Sequence, residues 1–128
     1  MKLKILIALF IASVFTGCNS QTGAKIIPAA AFAEKIKTPN AQLLDVRTPE
    51  EFKTEHLANA ANINWNGDQF EAEAAKYDKT KPIFVYCRVG GRSAKAADKL
   101  SQMGFKEVYN LEGGIIQWTE SGFPVENK

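Results

Sequence analysis

The strongest constraint on the fold is a short apolar strand that leads directly into a glycine-rich loop and then into a helix. Residues 82–86 are rich in β-branched and aromatic side chains and end at Cys87. Gly90 and Gly91 lie in the loop, and residues 93–103 carry alanine, leucine and methionine at helical spacing. A strand followed by a tight loop and a helix is the repeating unit of a parallel α/β sheet.

The same alternation of strand and helix continues along the chain. A chain of 128 residues is long enough for one domain, and alternating strands and helices predict a parallel sheet covered by helices on both faces. We therefore predict a single α/β domain over residues 25–128. The predicted strands are 25–27, 42–46, 62–64, 82–86 and 107–111, and the predicted helices are 29–36, 49–54, 68–76, 93–103 and 115–121.

Local signals mark where several helices begin and end. Thr48 is a predicted N-cap, with Pro49 at the first helical position and Glu51 completing a capping box. Asp68, which lies three residues before a glutamate, repeats this pattern at the next helix. Gly104 is predicted to end the long helix that follows the glycine loop.

Cys87 follows the C-terminal end of a predicted strand, which is where parallel α/β proteins usually bind their ligands. The start of the next helix offers unpaired N–H groups and the positive end of its dipole. Gly90 and Gly91 allow consecutive N–H groups to point into one concavity, and Arg88 and Arg92 add positive charge. A thiol in these surroundings is predicted to have a lowered pKa and to act as a nucleophile.

The other polar residues around this loop each allow two interpretations. Arg92 either binds an anionic substrate or forms an ion pair, and Arg88 either does the same or faces solvent. Ser93 is predicted to be the N-cap of the helix rather than a catalytic hydroxyl, although its N–H or hydroxyl can reach a sulfur atom. Asp45 and Arg47 are predicted to form a structural charge pair near the site.

Metal and cofactor chemistry is not expected. His56 is the single histidine of the chain, and a lone histidine is usually structural. It lacks the neighbouring ligands that a metal site requires. We therefore expect no metal ion and no organic cofactor.

The N-terminal segment predicts export from the cytoplasm. Lys2 and Lys4 precede an apolar run, residues 5–15, which is too short to span a bilayer. The run ends in Phe-Thr-Gly-Cys18, which resembles a bacterial lipobox whose cysteine is lipidated, although leucine is commoner than phenylalanine at its first position. Residues 1–18 are thus a predicted signal peptide with lipidation at Cys18, and residues 19–24 a polar linker. The alternative is an ordinary signal peptide that releases a soluble protein.

Either form of processing leads to the bacterial cell envelope, as a lipid-anchored periplasmic or outer-membrane protein or as a periplasmic or secreted one. Cys87 is then the single thiol of a domain in an oxidising compartment, where a free thiol indicates reactivity. Without Lys2 and Lys4, the remaining 14 basic residues equal the 14 acidic ones. This balance argues against nucleic acid as a partner. We expect a monomer that contacts the membrane through its lipid only.

Three stretches resemble the rhodanese-like family of sulfurtransferases. They are Leu-Asp-Val-Arg-Thr-Pro-Glu-Glu-Phe at residues 44–52, Cys-Arg-Val-Gly-Gly-Arg-Ser at 87–93 and Leu-Glu-Gly-Gly-Ile-Ile-Gln-Trp at 111–118. The resemblance implies a three-layer α/β/α fold with a five-stranded parallel sheet and a persulfide carried by Cys87. It also implies that a small anionic sulfur donor and a thiol acceptor meet the loop residues Arg88, Val89, Gly90, Gly91, Arg92 and Ser93.

The sequence departs from the family pattern at residues 55–60. The family commonly has Gly-His-Ile-x-Gly-Ala where this chain has Glu-His-Leu-Ala-Asn-Ala. We expect the loss of both glycines to alter this turn without touching Cys87.

The length of the loop separates two kinds of chemistry within the resemblance. Arg92 follows Cys87 by five positions, whereas cysteine phosphatases of similar fold have six. A shorter loop suits one sulfur atom better than a tetrahedral phosphate. The sequence therefore favours a sulfurtransferase, with a non-catalytic persulfide carrier or sensor as the alternative and a thiol-dependent phosphatase or arsenate reductase as a weaker one.

Overall fold

The computed structural model describes residues 23–128, which form a five-stranded parallel sheet with the strand order β1-β5-β4-β2-β3. The observed elements agree with the predicted ones to within two residues at each end, and the predicted α/β fold with five parallel strands is confirmed. The strands are β1 Lys25–Ile27, β2 Gln42–Asp45, β3 Ala61–Asn62, β4 Ile83–Tyr86 and β5 Val108–Leu111, and the helices are α1 Ala29–Lys35, α2 Pro49–Thr54, α3 Phe70–Ala74, α4 Gly91–Gln102 and α5 Gly114–Glu120.

Helices cover both faces of the sheet, as the uninterrupted apolar strands require. One core contains residues of α3 and α4, among them Phe70 and Leu100, packed on alternate strand residues such as Val85. The other contains residues of α1 and α5, among them Phe32 and Trp118, packed on the opposite face. Helix α2 has no buried residue and lies at the rim of the sheet.

Cys87 directly follows the central strand β4. The register of β4 with its neighbours shows at which edge of the sheet Cys87 lies. Lys25 of β1 pairs with Tyr109 of β5, and Tyr109 pairs with Phe84 of β4. Cys87 lies three residues beyond Phe84 along the same strand direction. Because all strands are parallel, Cys87 lies at the C-terminal edge of the sheet, and the first residue of β1 lies at the opposite, N-terminal edge.

The helix boundaries confirm two of the four predicted end signals. The Thr48 hydroxyl accepts a hydrogen bond from the N–H of Glu51 at 3.3 Å, as in a capping box. Gly104 has a φ of 101° after α4, and the N–H of Phe105 bonds back to the carbonyl of Leu100 at 3.1 Å. This pattern ends the helix, since only glycine adopts that conformation without strain.

The other two end signals were wrong. Helix α3 begins after Gln69, and no side chain caps it, so Asp68 is not its N-cap. Helix α4 begins at Gly91, two residues earlier than predicted, with Gly90 as its N-cap at a φ of 117°. Ser93 is therefore the third residue of α4 rather than its cap, and its hydroxyl is available for another contact.

The predicted signal peptide, the lipidation of Cys18 and residues 19–22 of the predicted linker lie outside the described residues. Within residues 23–128, no helix has the length and apolar character needed to cross a membrane.

Candidate active site

The Cys87 thiol is buried at the C-terminal end of β4, in a turn whose N–H and hydroxyl groups donate hydrogen bonds to its sulfur. Its Sγ accepts hydrogen bonds from the N–H of Gly90 at 3.0 Å and from the Ser93 hydroxyl at 3.3 Å. Only 1% of the Cys87 surface is exposed. Burial by itself raises the pKa of the thiol, but the Ser93 hydroxyl and the N–H groups of Ser93, Gly90 and Val89 outweigh burial and hold the pKa below its ordinary value. The arrangement favours a thiolate.

The glycine at the turn explains how these donors reach one atom. Gly90 adopts a left-handed conformation that a residue with a side chain occupies only with strain. The chain therefore reverses within three residues, and α4 begins directly beneath the sulfur. Helix α4 has 12 residues and points its N-terminus at the site. The positive end of its dipole stabilises a negative sulfur there.

The start of α5 holds the cysteine loop from behind. The N–H groups of Ile115 and Ile116 donate to the carbonyls of Cys87 at 2.9 Å and Arg88 at 3.2 Å. Gly114 approaches this backbone so closely that an added Cβ would lie 2.3 Å from the Arg88 carbonyl oxygen. Gly113 and Gly114 lie in one of the three stretches that resemble the family, but their function in supporting the loop was not predicted. The pair of adjacent glycines is the only hint in the sequence, because glycine often marks a position where two backbone segments approach closely.

Arg92 forms a forked ion pair with Glu51 beside the thiol. Its Nη1 donates to Oε1 of Glu51 at 2.7 Å and its Nη2 to Oε2 at 3.0 Å. The hydrogen bonds from Arg92 lower the pKa of Glu51 to about 2, and the pKa of Arg92 is raised, first by its bonds to Glu51 and further by the charge of Cys87. The sequence had left open whether Arg92 is an anion-binding or an ion-pair residue, and the structure places it in an ion pair.

The outer part of the loop faces solvent. Arg88 is exposed, and none of the ion pairs within residues 23–128 involves it. Val89 is 61% exposed, an unusual position for an apolar side chain. An added Cβ at Gly91 would meet no atom within 4 Å. The loop residues predicted to meet a substrate therefore surround the thiol, with Arg88 and Val89 on the outside and Ser93 fully buried.

Asp45 and Arg47 form the predicted structural charge pair. The Arg47 guanidinium donates to both carboxylate oxygens of Asp45, at 2.6 to 3.0 Å, and also to the carbonyl of Glu55 at 2.6 Å. Their side chains are only 0% and 4% exposed. Burial disfavours the charged guanidinium, but the hydrogen bond and charge of Asp45 outweigh it and raise the pKa of Arg47. The pair fixes the loop after β2 to the loop after α2.

His56 is structural, as predicted. Its ring stacks on Phe52 with centroids 3.9 Å apart, and its Nδ1 lies 2.8 Å from the Phe52 carbonyl oxygen. Two backbone hydrogen bonds join His56 to Glu126, so the C-terminal segment is held against this turn. Among the described residues, no three His, Cys, Asp or Glu side chains are grouped as metal ligands.

The fold and the site together define a class of protein: a parallel α/β domain with a buried cysteine between the central strand and the N-terminus of the next helix. Residues 28–121 match the family model of the rhodanese-like domain. The chain belongs to the rhodanese-like family.

Its relatives include proteins named as sulfurtransferases. Thiosulfate sulfurtransferase GlpE of Coxiella burnetii is 40% identical over 85 residues, which cover 66% of this chain and 78% of the relative. GlpE of Vibrio cholerae is 38% identical over 92 residues, covering 71% and 84%. A rhodanese-related protein of Thermoplasma volcanium has a solved structure that superposes with a TM-score of 0.72 at 36% identity, covering 81% of this chain and 99% of that one.

Proposed function

We propose that this protein is a sulfurtransferase that moves sulfane sulfur from thiosulfate or a persulfide donor to a thiol, or to cyanide, through a persulfide on Cys87. The observation that carries the proposal is the Cys87 sulfur itself, held by the Gly90 N–H and the Ser93 hydroxyl with a lowered pKa. Relatives named as thiosulfate sulfurtransferases at about 40% identity support it.

In the first step, the Cys87 thiolate attacks the outer sulfur of thiosulfate. A new S–S bond forms, the sulfur–sulfur bond of thiosulfate breaks, and sulfite leaves with the bonding electron pair. The enzyme retains a persulfide anion, so the total charge is unchanged. Arg88, which is exposed, lies next to the cysteine in sequence and can meet the sulfonate group, while Arg92 lies near the sulfur with its charge shared with Glu51.

In the second step, an acceptor thiolate attacks the outer sulfur of the persulfide. The S–S bond to Cys87 breaks, the acceptor leaves as a persulfide, and the Cys87 thiolate is regenerated. The N–H of Gly90 and the hydroxyl of Ser93 stabilise negative charge on Sγ before the attack and again when the thiolate is regenerated, because both point at Sγ. No residue of the site has to move a proton if donor and acceptor are both anionic.

The test compares the wild-type protein with a Cys87→Ser variant. Each is incubated with thiosulfate while intact mass and sulfite release are followed, with and without an added thiol. We expect the wild type alone to gain one sulfur atom and to release sulfite repeatedly when the thiol is present.

Two other outcomes would change the proposal. A stable single sulfur adduct without turnover would favour the carrier or sensor function, in which a specific partner discharges Cys87. The absence of any adduct, with thiosulfate or with a persulfide donor, would contradict sulfur transfer. Turnover of an aryl phosphate or of arsenate in its place would favour the phosphatase or reductase alternative.

We further propose that the protein works in the cell envelope, lipidated at Cys18. The support is the charged start, the short apolar run and the small residues that precede this cysteine. A Cys18→Ser variant is expected to lose incorporation of labelled palmitate and to leave the membrane fraction. Equal labelling of both proteins would contradict lipidation, and retention of both in the cytoplasm would contradict export.

A further inference from the structure

We propose that Glu51 sets the charge of the Cys87 site, and thereby lowers its preference for doubly charged sulfur donors relative to singly charged ones. Glu51 lies 36 positions before the cysteine and belongs to α2 at the rim of the sheet. It is a specificity-determining residue that acts through Arg92. The reference to sulfur donors rests on the proposed function, whereas the effect on charge does not.

The Arg92 guanidinium is engaged in its ion pair with Glu51. Both terminal nitrogens of the guanidinium are bound to the two carboxylate oxygens of Glu51. The carboxylate is also held from its own helix, since the Thr48 hydroxyl lies 3.2 Å from Oε1 and the Glu51 N–H bonds to the same hydroxyl. The N-terminal turn of α2 thus aims Glu51 at the cysteine loop, and the planar fork of Arg92 matches it.

A count of charges shows what an incoming anion meets. The Cys87 thiolate is negative, the Arg92–Glu51 pair is neutral as a unit, and Arg88 is an exposed cation that no ion pair among the described residues engages. Thiosulfate carries two negative charges and an alkane thiosulfonate carries one. Since electrostatic free energy is proportional to charge, the Glu51 carboxylate opposes the dianion twice as strongly as the monoanion.

The first experiment measures this difference in donor kinetics. A Glu51→Gln variant keeps the size of the side chain and removes its charge. We expect its KM to fall about fivefold for thiosulfate and about twofold for an alkane thiosulfonate, with a smaller change in kcat. Glu50→Gln is the matched control, because it removes the same charge from the adjacent, exposed residue that does not contact Arg92.

The second experiment needs no sulfur transfer at all. Alkylation of Cys87 by iodoacetate, an anion, is compared with alkylation by iodoacetamide, which is neutral. Each reaction displaces iodide from carbon and depends equally on the thiolate fraction, so the ratio of the two rate constants reports only the charge of the site. We expect the ratio to rise about twofold in Glu51→Gln and much less in Glu50→Gln. Glu51→Asp, which restores the charge, is expected to return the ratio toward the wild-type value.

The outcomes separate this inference from the proposed function. An unchanged alkylation ratio in a folded Glu51→Gln variant overturns the inference, even if the enzyme turns over thiosulfate. A raised ratio in a protein that never transfers sulfur supports the inference and contradicts the proposed function. Arg88→Gln provides an independent measure, because removal of the exposed cation is expected to lower the ratio, and an unchanged ratio there also overturns the charge count.

Discussion

Two arginine–carboxylate pairs lie near Cys87, and they differ in burial more than in geometry. In both, the guanidinium donates to both oxygens of one carboxylate. The side chains of Asp45 and Arg47 are almost entirely buried, whereas those of Glu51 and Arg92 are 29% and 26% exposed. The partners of the buried pair are two residues apart in sequence, and those of the exposed pair are 41 residues apart.

The difference shows how one chemical motif serves two purposes in the same domain. The buried pair satisfies backbone groups that would otherwise lack partners, among them the Glu55 carbonyl, so its removal leaves an uncompensated charge in the interior. The Glu51–Arg92 pair is partly exposed and lies beside the Cys87 sulfur, where solvent weakens its contribution to stability but does not remove its electrostatic effect on the site. Of the two pairs, Asp45–Arg47 therefore contributes more to the stability of the fold, and Glu51–Arg92 contributes more to the charge of the site.

The largest expected effect is on the buried pair. Asp45→Asn leaves the Arg47 guanidinium buried beside a neutral amide, and we expect it to lower the free energy of unfolding by about 3–5 kcal/mol. Urea denaturation of the variant and the wild type measures the change. A loss below about 1 kcal/mol would mean that the buried pair contributes no more than a surface pair, which would remove the contrast.

A smaller effect is expected at the exposed pair. Glu51→Gln is expected to cost about 1 kcal/mol of stability at pH 7, because solvent screens both side chains. The pKa of Glu51 is depressed from 4.5 to about 2 in the folded protein. Its contribution is therefore present above pH 4.5 and is lost as the pH falls toward 2. Unfolding curves between pH 7 and pH 2 should converge for variant and wild type, whereas a difference that persists at pH 2 would contradict an ionic origin.

Added salt should change the stability contributions of the two pairs by different but still smaller amounts. The screening length falls from about 10 Å at 0.1 M to about 3 Å at 1 M ionic strength. We expect the stability loss of Glu51→Gln to shrink by about 0.5 kcal/mol over this range and that of Asp45→Asn to stay constant. Denaturation at the two salt concentrations tests this. Equal salt dependence of both variants would show that solvent reaches both pairs alike.

The smallest expected effect is on the free energy of ionisation of the Cys87 thiol, when the neutral hydroxyl of Ser93 is removed. Ser93→Ala removes the hydroxyl that bonds to Cys87 Sγ, and the pKa of Cys87 is expected to rise, because burial is then opposed by fewer hydrogen bonds. The pH dependence of iodoacetamide alkylation measures it, and its midpoint should move to higher pH. Ser101→Ala, later in the same helix, is the control. An unchanged midpoint would assign the lowered pKa to the backbone N–H groups of Ser93, Gly90 and Val89 instead.

The residues that could be predicted from the sequence are those whose signal is local. The apolar strand before Cys87, the Thr48 cap and the C-terminal Gly104 depend on neighbours within a few positions, and each was predicted correctly. The Asp45–Arg47 pair is local as well, since Asp45 ends β2 and Arg47 lies two residues further along the chain. The alternation of strands and helices was sufficient to predict the parallel sheet.

The features that were missed depend on distant contacts or on backbone geometry. No local pattern links Glu51 to Arg92, because the fold alone brings α2 beside the start of α4. Ser93 was predicted as an N-cap from its chemistry, yet the left-handed Gly90 starts α4 earlier and frees the Ser93 hydroxyl for the thiol. Gly114 is required by the Arg88 carbonyl, a contact that becomes visible only when α5 is placed behind the loop.

The parallel register also places the start of β1 and the Cys87 loop at opposite ends of the molecule. Lys25 is level with Phe84, so Cys87 lies about 10 Å further along the strand direction. Gly23 lies by the last turns of α4, next to Ser101 and Gln102, at the end of the molecule away from the thiol. An anchor attached upstream of β1, as proposed for Cys18, therefore holds the molecule by its far end. In the proposed lipid-anchored form, the Cys87 loop would then face away from the bilayer.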